Sequence, residues 1–218
     1  MITLPRVDEY LDSLTSDRSP ALAALRKEAE GACVPIIRRN TEAFLETLLK
    51  IRHPASILEL GTAVGYSALV MAEVLPDTRI TTIEIGEQDH RLALENFARI
   101  PHEASIESIL GDAGKVMDEL ASKGETFEFI FQDAAKGQYL PWLPAIRRLM
   151  LPGAVLAADN VLLDGTIVES RYALDRRDRT THSRMRAFLY EITHSRDFVS
   201  SVVPVGDGVS VSWYRGMS

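Results

Sequence analysis

The sequence predicts an α/β fold with a mostly parallel seven-stranded sheet, helices on both faces and a C-terminal antiparallel hairpin. Short strand-like segments alternate with helical segments from Ser56 onward, which is typical of a parallel sheet. Near the C-terminus, two strand-like segments flank Gly206-Asp207-Gly208, a spacing typical of a hairpin. The length of 218 residues and the 46% hydrophobic content suit a single domain over residues 1–218.

Residues 1–55 are predicted to form an N-terminal helical segment that covers the ligand-binding site. Ser19-Pro20 is predicted to supply the N-cap and first turn of a helix over 21–32, because Pro is favoured where the first amide has no helical partner. Asn40 is predicted to cap the next helix, over 41–51.

The alternating part of the chain then divides into strands and helices. Five strands are predicted, at 56–60, 79–84, 105–110, 127–132 and 154–159. The helices between them are predicted at 67–75, 88–100, 114–123 and 139–150. A last helix near 181–193 precedes the hairpin formed by "FVSSVVPV" and "GVSVSWYR".

Charge and composition narrow the function classes. The net charge of −7 argues against a protein that coats nucleic acid, although residues 171–186 form a local basic island; on composition alone the island is better explained as a solvated helix start. The sequence has no apolar run long enough for a membrane span, no secretory h-region, and one cysteine, Cys33. We therefore expect a cytoplasmic protein that does not interact with membranes.

The ends of the first three strands suggest a cofactor site, because ligands of such sheets bind at the carboxyl ends of the strands. The first strand ends in Glu59-Leu60-Gly61 and leads through Gly65 into a helix, and the glycines let the backbone approach a ligand. The spacing G-x-x-x-G disfavours dinucleotide binding. Glu84 can accept both hydroxyls of a ribose, and Asp112 lies beside the same cleft. Together these signals are typical of S-adenosylmethionine binding.

The next two strands also end in oxygen-bearing side chains. "FEFIFQ" is followed by Asp133, and "AVLAAD" ends in Asp159 with Asn160 next. Because the sheet is predicted to be parallel here, all three side chains belong on the rim where a site is expected.

The chain resembles the class I S-adenosylmethionine-dependent, metal-dependent O-methyltransferases, which include catechol and caffeoyl-CoA O-methyltransferases and share a Rossmann-like fold. Within that family it is most similar to bacterial tRNA 5-hydroxyuridine methyltransferases, on the segments "DAAKGQY" and "VPVGDG". The other segments that carry the resemblance are "VPII", "ILELGTAVGYSA", "TTIE", "GDA" and "ADNVLLDG". Two positions depart from the family pattern: Gln132, usually aliphatic, and Ala154, usually glycine.

The resemblance implies a set of site residues. Those expected to contact the cofactor are Ile37, Ser67, Glu84, Asp112, Ala113 and Asp133, in addition to Glu59, Gly61 and Gly65 of the first strand end. Asp133, Asp159 and Asn160 would hold a divalent cation, Mg²⁺ or Mn²⁺, since carboxylate and amide oxygens are hard ligands. Lys136 would be the base, because a nearby cation favours the neutral amine that can accept a proton. Asp133 and Lys136 are thus the predicted catalytic residues.

The substrate needs two adjacent oxygens to chelate such a cation, which leaves two substrate classes. A catechol, or another small vicinal diol, has two hydroxyls; 5-hydroxyuridine in a tRNA anticodon loop has a hydroxyl beside a carbonyl. Six arginines could contact RNA phosphates and favour tRNA: Arg38, Arg39, Arg171, Arg176, Arg177 and Arg179. A cofactor-binding module without activity is a third, weaker alternative, because such a module would not need both ligands and base. We also expect a homodimer.

Overall fold

The computed structural model describes residues 4–216, and this part of the chain contains a single sheet of seven strands. The strands are β1 Ser56–Leu60, β2 Arg79–Glu84, β3 Ser105–Leu110, β4 Phe127–Gln132, β5 Met150–Ala158, β6 Phe198–Val203 and β7 Val209–Tyr214. Their order across the sheet is β3-β2-β1-β4-β5-β7-β6. Strands β1 to β5 are parallel, and β7 pairs antiparallel with both β5 and β6. The predicted fold class is confirmed.

Eight α-helices accompany the sheet within residues 4–216. They are α1 Pro5–Ser13, α2 Pro20–Gly31, α3 Arg39–Arg52, α4 Tyr66–Val74, α5 Glu87–Arg99, α6 Ala113–Ser122, α7 Tyr139–Leu149 and α8 Arg179–His194. Short 3₁₀ segments occur at Lys136–Gln138 and Leu163–Val168. No helix of the described chain is both long and apolar enough to cross a membrane.

The predicted N-cap of α3 and the predicted start of β5 were wrong. Helix α3 begins at Arg39, with Arg38 at the N-cap position, so Asn40 lies inside the first turn. Its Oδ1 nevertheless accepts a hydrogen bond from the backbone N–H of Thr41, at 2.8 Å, and so satisfies one of the free amides of that turn. Strand β5 begins at Met150, four residues before the predicted start, because Met150 also pairs with Phe127 of β4; the register shifts before the next pair, and Gly153 in the intervening stretch has a φ of +87°.

The core lies on both faces of the sheet, which explains the nearly continuous apolar sequence of the strands. Leu58 and Ile57 are consecutive and fully buried, yet they belong to opposite faces. The Leu58 face packs against α6, α7 and α8, and the Ile57 face packs against α2, α3, α4 and α5. The two helical layers hold the parallel strands so that their carboxyl ends meet at one edge.

Candidate active site

The carboxyl ends of β2, β1, β4 and β5 form one rim. Leu60, the last residue of β1, is level with Ile83 of β2 and Gln132 of β4, and Gln132 is level with Ala158 of β5. Backbone bonds continue one residue past the strands: Asp133 N–H donates to the carbonyl of Leu60, and Asp159 N–H donates to that of Gln132, both at 3.0 Å. The family departure at Gln132 therefore leaves the strand ends aligned.

A cavity of about 740 Å³ opens at this rim. It brings together eleven of the predicted site residues: Ile37, Arg38, Gly61, Ser67, Glu84, Asp112, Ala113, Asp133, Lys136, Asp159 and Asn160. The remaining predicted residues lie outside its lining: Glu59, Gly65, Arg39, Arg171, Arg176, Arg177 and Arg179. The predicted metal residues, and the predicted cofactor residues other than Glu59 and Gly65, thus face one space, whereas the predicted RNA contacts, apart from Arg38, do not.

The two glycines after β1 each allow the close approach of a different residue. Gly61 has a φ of +100°, and a Cβ at this position would lie 2.2 Å from the carbonyl oxygen of Asp133. Only glycine lets β1 and β4 end so close together beside the cavity. Gly65 has a φ of +81°, and a Cβ there would lie 2.6 Å from the ring of Phe97 on α5. Gly65 lies outside the cavity lining and lets the start of α4 approach α5, so its contact with the cofactor stays a prediction.

Glu84 is held at the cavity wall by two backbone amides. Its Oε2 accepts from Ala63 N–H at 2.9 Å, and its Oε1 accepts from Gly86 N–H at 2.8 Å. Each carboxylate oxygen has a second lone pair. A fixed carboxylate with free acceptor capacity is suited to bind two neighbouring hydroxyls.

Glu59, by contrast, lies outside the cavity lining, and its contact with a ligand stays a prediction. It is fully buried, and its two carboxylate oxygens accept from the hydroxyls of Ser67 and Thr82, each at 2.5 Å. Burial raises its pKa to about 7, and the charges of Asp133 and Glu84 act in the same direction. The side chain of Glu59 therefore orients Ser67, which does line the cavity.

Asp133, Asp159 and Asn160 bring two carboxylates and one amide to the same wall. Asp159 is 2% exposed, and its Oδ1 accepts from Asn160 N–H at 2.7 Å. Burial raises the pKa of Asp159 to about 7, and the neighbouring Asp133 carboxylate adds to the effect. Lys136 lies close, with its Nζ 3.5 Å from Asp133 Oδ1.

These donors fit a hard divalent cation. All of the donors are oxygens, and a divalent cation would offset the charge of the two carboxylates. No group of three or more His, Cys, Asp or Glu side chains is arranged as a metal site within residues 4–216. Any cation on this wall would accordingly need the amide of Asn160 as its third protein ligand.

Asp112 has a structural role as well as a place in the lining. Its Oδ1 accepts from Lys115 N–H at 3.1 Å and so caps α6. Beside it lies Trp142, whose Nε1 is 3.2 Å from the position of a Cβ on Gly114. Trp142 and Tyr66 line the cavity and were not predicted as cofactor-site residues. Tyr66 directly follows Gly65, so a search of the residues next to the glycine turn could have found it.

Two arginines of the basic island lie beside an exposed tyrosine. Tyr172 is 76% exposed, and the guanidinium groups of Arg171 and Arg179 lie 5.6 and 6.0 Å from its ring centre. Arg179 also donates from Nε to the carbonyl of Leu174 at 3.1 Å. Arg177 pairs with the adjacent Asp178 at 3.5 Å. Some arginines of the island therefore interact with residues of their own segment.

Comparison with known proteins identifies the family. Residues 12–213 match the sequence profile of the O-methyltransferase family. The chain belongs to this family. A catechol O-methyltransferase of Niastella koreensis is 32% identical over 167 residues, which cover 75% of this chain and 76% of that protein. A caffeoyl-CoA O-methyltransferase of Populus trichocarpa is 29% identical over 186 residues, covering 77% and 70%.

Solved structures of O-methyltransferases share the whole fold. The Bacillus cereus enzyme, solved with S-adenosylhomocysteine (SAH), superimposes with a TM-score of 0.84 at 25% identity, covering 98% of this chain and 100% of that one. TomG of Streptomyces achromogenes, solved with S-adenosylmethionine (SAM), gives 0.83 at 26% identity, covering 97% and 96%. The prediction that this O-methyltransferase is an enzyme with a Rossmann-like fold is confirmed.

Proposed function

We propose that this O-methyltransferase transfers the methyl group of S-adenosylmethionine to a hydroxyl of a small molecule that carries a second oxygen beside it, with the help of a divalent cation. The observation that supports the proposal most is one cavity that contains Glu84 together with Asp133, Asp159, Asn160 and Lys136. Glu84 is suited to bind a ribose, and the other four side chains are suited to metal-assisted ionisation of a hydroxyl.

The cofactor half of the cavity would bind through groups that are already oriented. Glu84 would accept the ribose hydroxyls, since the amides of Ala63 and Gly86 fix its carboxylate. Ser67, held by Glu59, and Ile37 would contact the amino-acid end, and Asp112-Ala113 the base. When bound, S-adenosylmethionine supplies an electrophilic methyl group on a sulfonium.

The substrate half would prepare the hydroxyl. A divalent cation on Asp133, Asp159 and Asn160 would lower the pKa of a hydroxyl that it binds. Lys136 would accept the proton of that hydroxyl, because its amine lies at the same wall, 3.5 Å from Asp133. Asp133 thus has two roles: it is a ligand, and its carboxylate keeps the Lys136 side chain at the site.

Small vicinal diols are the substrate class that we favour. The two curated relatives described above are named for catechol and caffeoyl-CoA, and Arg38 is the single predicted RNA contact in the cavity lining. A tRNA anticodon loop is the second candidate. It is favoured by Tyr172, which is exposed between Arg171 and Arg179 and could stack on a base beside bound phosphates.

The test compares both substrates under the same conditions. The enzyme is incubated with S-adenosylmethionine, Mg²⁺ and either a catechol or a tRNA that contains 5-hydroxyuridine, and methylated products are measured by mass spectrometry. We expect a catechol to be methylated, and Arg176→Ala/Arg177→Ala to leave its turnover unchanged, since neither arginine lines the cavity.

Two results would contradict the favoured substrate. Methylation of tRNA without turnover of any vicinal diol would make the anticodon loop the substrate; the double variant should then weaken tRNA binding and lower its salt dependence by somewhat under one unit of slope per lost phosphate contact. No transfer to either substrate, in an enzyme that binds S-adenosylmethionine, would reject both.

A further inference from the structure

We infer that Arg26 is a positioning residue for the cofactor end of the cavity, an inference that rests on the proposed binding of S-adenosylmethionine. Arg26 lies on α2 and is 6% exposed, so it cannot contact a ligand in the cavity itself. Its guanidinium instead bonds to two residues that do line the cavity, Ile37 and Tyr66. These residues come from different parts of the wall.

The first of these bonds holds a segment that no helix or strand supports. Residues 34–38 connect α2 to α3 and have no regular secondary structure. Val34 N–H donates to Ala29 at 2.9 Å, and the carbonyl of Arg38 accepts from Glu42 N–H at 2.8 Å, so the ends of the segment are anchored. Between these anchors, Nη2 of Arg26 donates to the carbonyl of Ile37 at 2.9 Å. Arg26 thereby holds the part of the segment next to α3 against the cavity.

The second bond ties the same guanidinium to the start of α4. Nε of Arg26 donates to the Tyr66 hydroxyl at 3.1 Å, and that hydroxyl donates to Glu42 Oε2 at 2.7 Å. Nη2 also donates to Glu42 Oε2, at 2.6 Å. A planar guanidinium can serve these acceptors at once, whereas an ammonium group cannot match the geometry. The connecting segment and the turn before Ser67 are thus held in register by one side chain.

If Arg26 served only the stability of the protein, its loss should affect cofactor binding no more than the loss of Arg18. A comparison of the two arginines therefore distinguishes a positioning role from a purely structural one. Arg18 is also largely buried and bonds to the other oxygen of Glu42, at 2.5 Å, as well as to Glu46 at 2.6 Å. No hydrogen bond joins Arg18 to the 34–38 segment among the described contacts. Loss of either arginine leaves Glu42 with one cationic partner, so both substitutions should destabilise the protein through the same carboxylate.

The experiment measures cofactor affinity by calorimetry in the parent, Arg26→Met and Arg18→Met, at a temperature below the melting points of all three. We expect Arg26→Met to bind S-adenosylmethionine about 10- to 100-fold more weakly, because the hydrogen bond from the charged guanidinium to the Ile37 carbonyl no longer holds the segment in place for the cofactor. Arg18→Met should bind within about threefold of the parent. In assays, KM for the cofactor should rise more than kcat falls, because Arg26 does not touch the metal-ligand wall.

Equal affinities in the parent and Arg26→Met would overturn the inference, and so would an equal loss in Arg18→Met. If Arg26→Met does not fold, Arg26→Lys replaces it: the charge beside Glu42 remains, and an intermediate loss of affinity is expected. Parental affinity in the lysine variant would then refute the role. Failure of the parent itself to bind S-adenosylmethionine would instead reject the proposed function.

Discussion

Replacing Glu59 by glutamine should remove part of the pH dependence of stability. Glu59 is fully buried beneath Ser67 and Thr82, and its pKa is raised from an ordinary 4.5 to about 7, mainly by burial. Between these two pH values the folded protein keeps a proton on Glu59 that the unfolded chain has released. Folding is therefore favoured at low pH, and this contribution is lost as the pH rises through about 7.

The size of the effect follows from the difference between the two pKa values. At about 1.4 kcal/mol per pH unit, the free energy of unfolding of the parent should fall by about 3 kcal/mol from pH 4.5 to pH 8 because of this group. Glutamine does not titrate, and its amide can still accept from Ser67 and donate to Thr82. Asp159 and Asp207 also have raised pKa values. Both are present in the parent and in the variant, so their contributions to the pH dependence largely cancel when the two proteins are compared.

Urea unfolding at pH 5, 6, 7 and 8 in the presence of EDTA gives the required curves. The stability of Glu59→Gln relative to the parent should improve by about 2–3 kcal/mol from pH 5 to pH 8, with most of the change below pH 7. Glu107→Gln is the matched control, since it removes an exposed carboxylate from β3, and its curves should follow those of the parent. If Glu59→Gln and the parent differ by the same amount at every pH, the reasoning about the buried carboxyl is refuted.

Three further predictions concern the cavity and its walls. EDTA should abolish methyl transfer, and Mg²⁺ or Mn²⁺ should restore it. Asp159→Ala should lower kcat by about 100-fold or more with little change in cofactor affinity. Full activity after exhaustive chelation would contradict the metal site. Glu84→Ala should weaken S-adenosylmethionine binding by about 1.5–3 kcal/mol, and calorimetry that finds no change would remove Glu84 from the site. Gly65→Ala should lower the free energy of unfolding by about 2–4 kcal/mol, because the position has a positive φ and the added Cβ would meet the Phe97 ring. In chemical denaturation, the double variant Gly65→Ala/Phe97→Leu should recover part of this stability. A Gly65→Ala protein as stable as the parent would disprove the contact.

Much of the fold and the rim of the cavity followed from the sequence alone. Four of the five parallel strands have the predicted bounds, because short strand-like runs between turn residues are a local signal. Parallel topology then brings the strand ends to one edge, so Glu84, Asp133 and Asp159 could be predicted as neighbours from their positions after the strands. The homodimer and the metal remain predictions.

The distinction between two glutamates needed the tertiary structure. Glu59 and Glu84 both stand at the end of a strand and both looked like ligand contacts. Glu59 precedes the last residue of β1, and the packing of α4 covers its carboxylate with Ser67. Glu84 is the last residue of β2, and its carboxylate reaches the cavity. Which face of a strand becomes covered depends on helices that are distant in sequence, so the residue type and position alone could not separate the two.

The contacts of Arg26 and Gly65 depend on long-range packing in the same way. Arg26 joins Ile37 and Tyr66, which are 11 and 40 residues away, and Gly65 meets Phe97 on another helix. Sequence patterns report on neighbours one or two helical turns apart, or on alternate strand positions. Burial, charge pairing and steric exclusion between distant segments arise only when the helices dock on the sheet, and that docking decided which predicted residues contact the cavity and which support it.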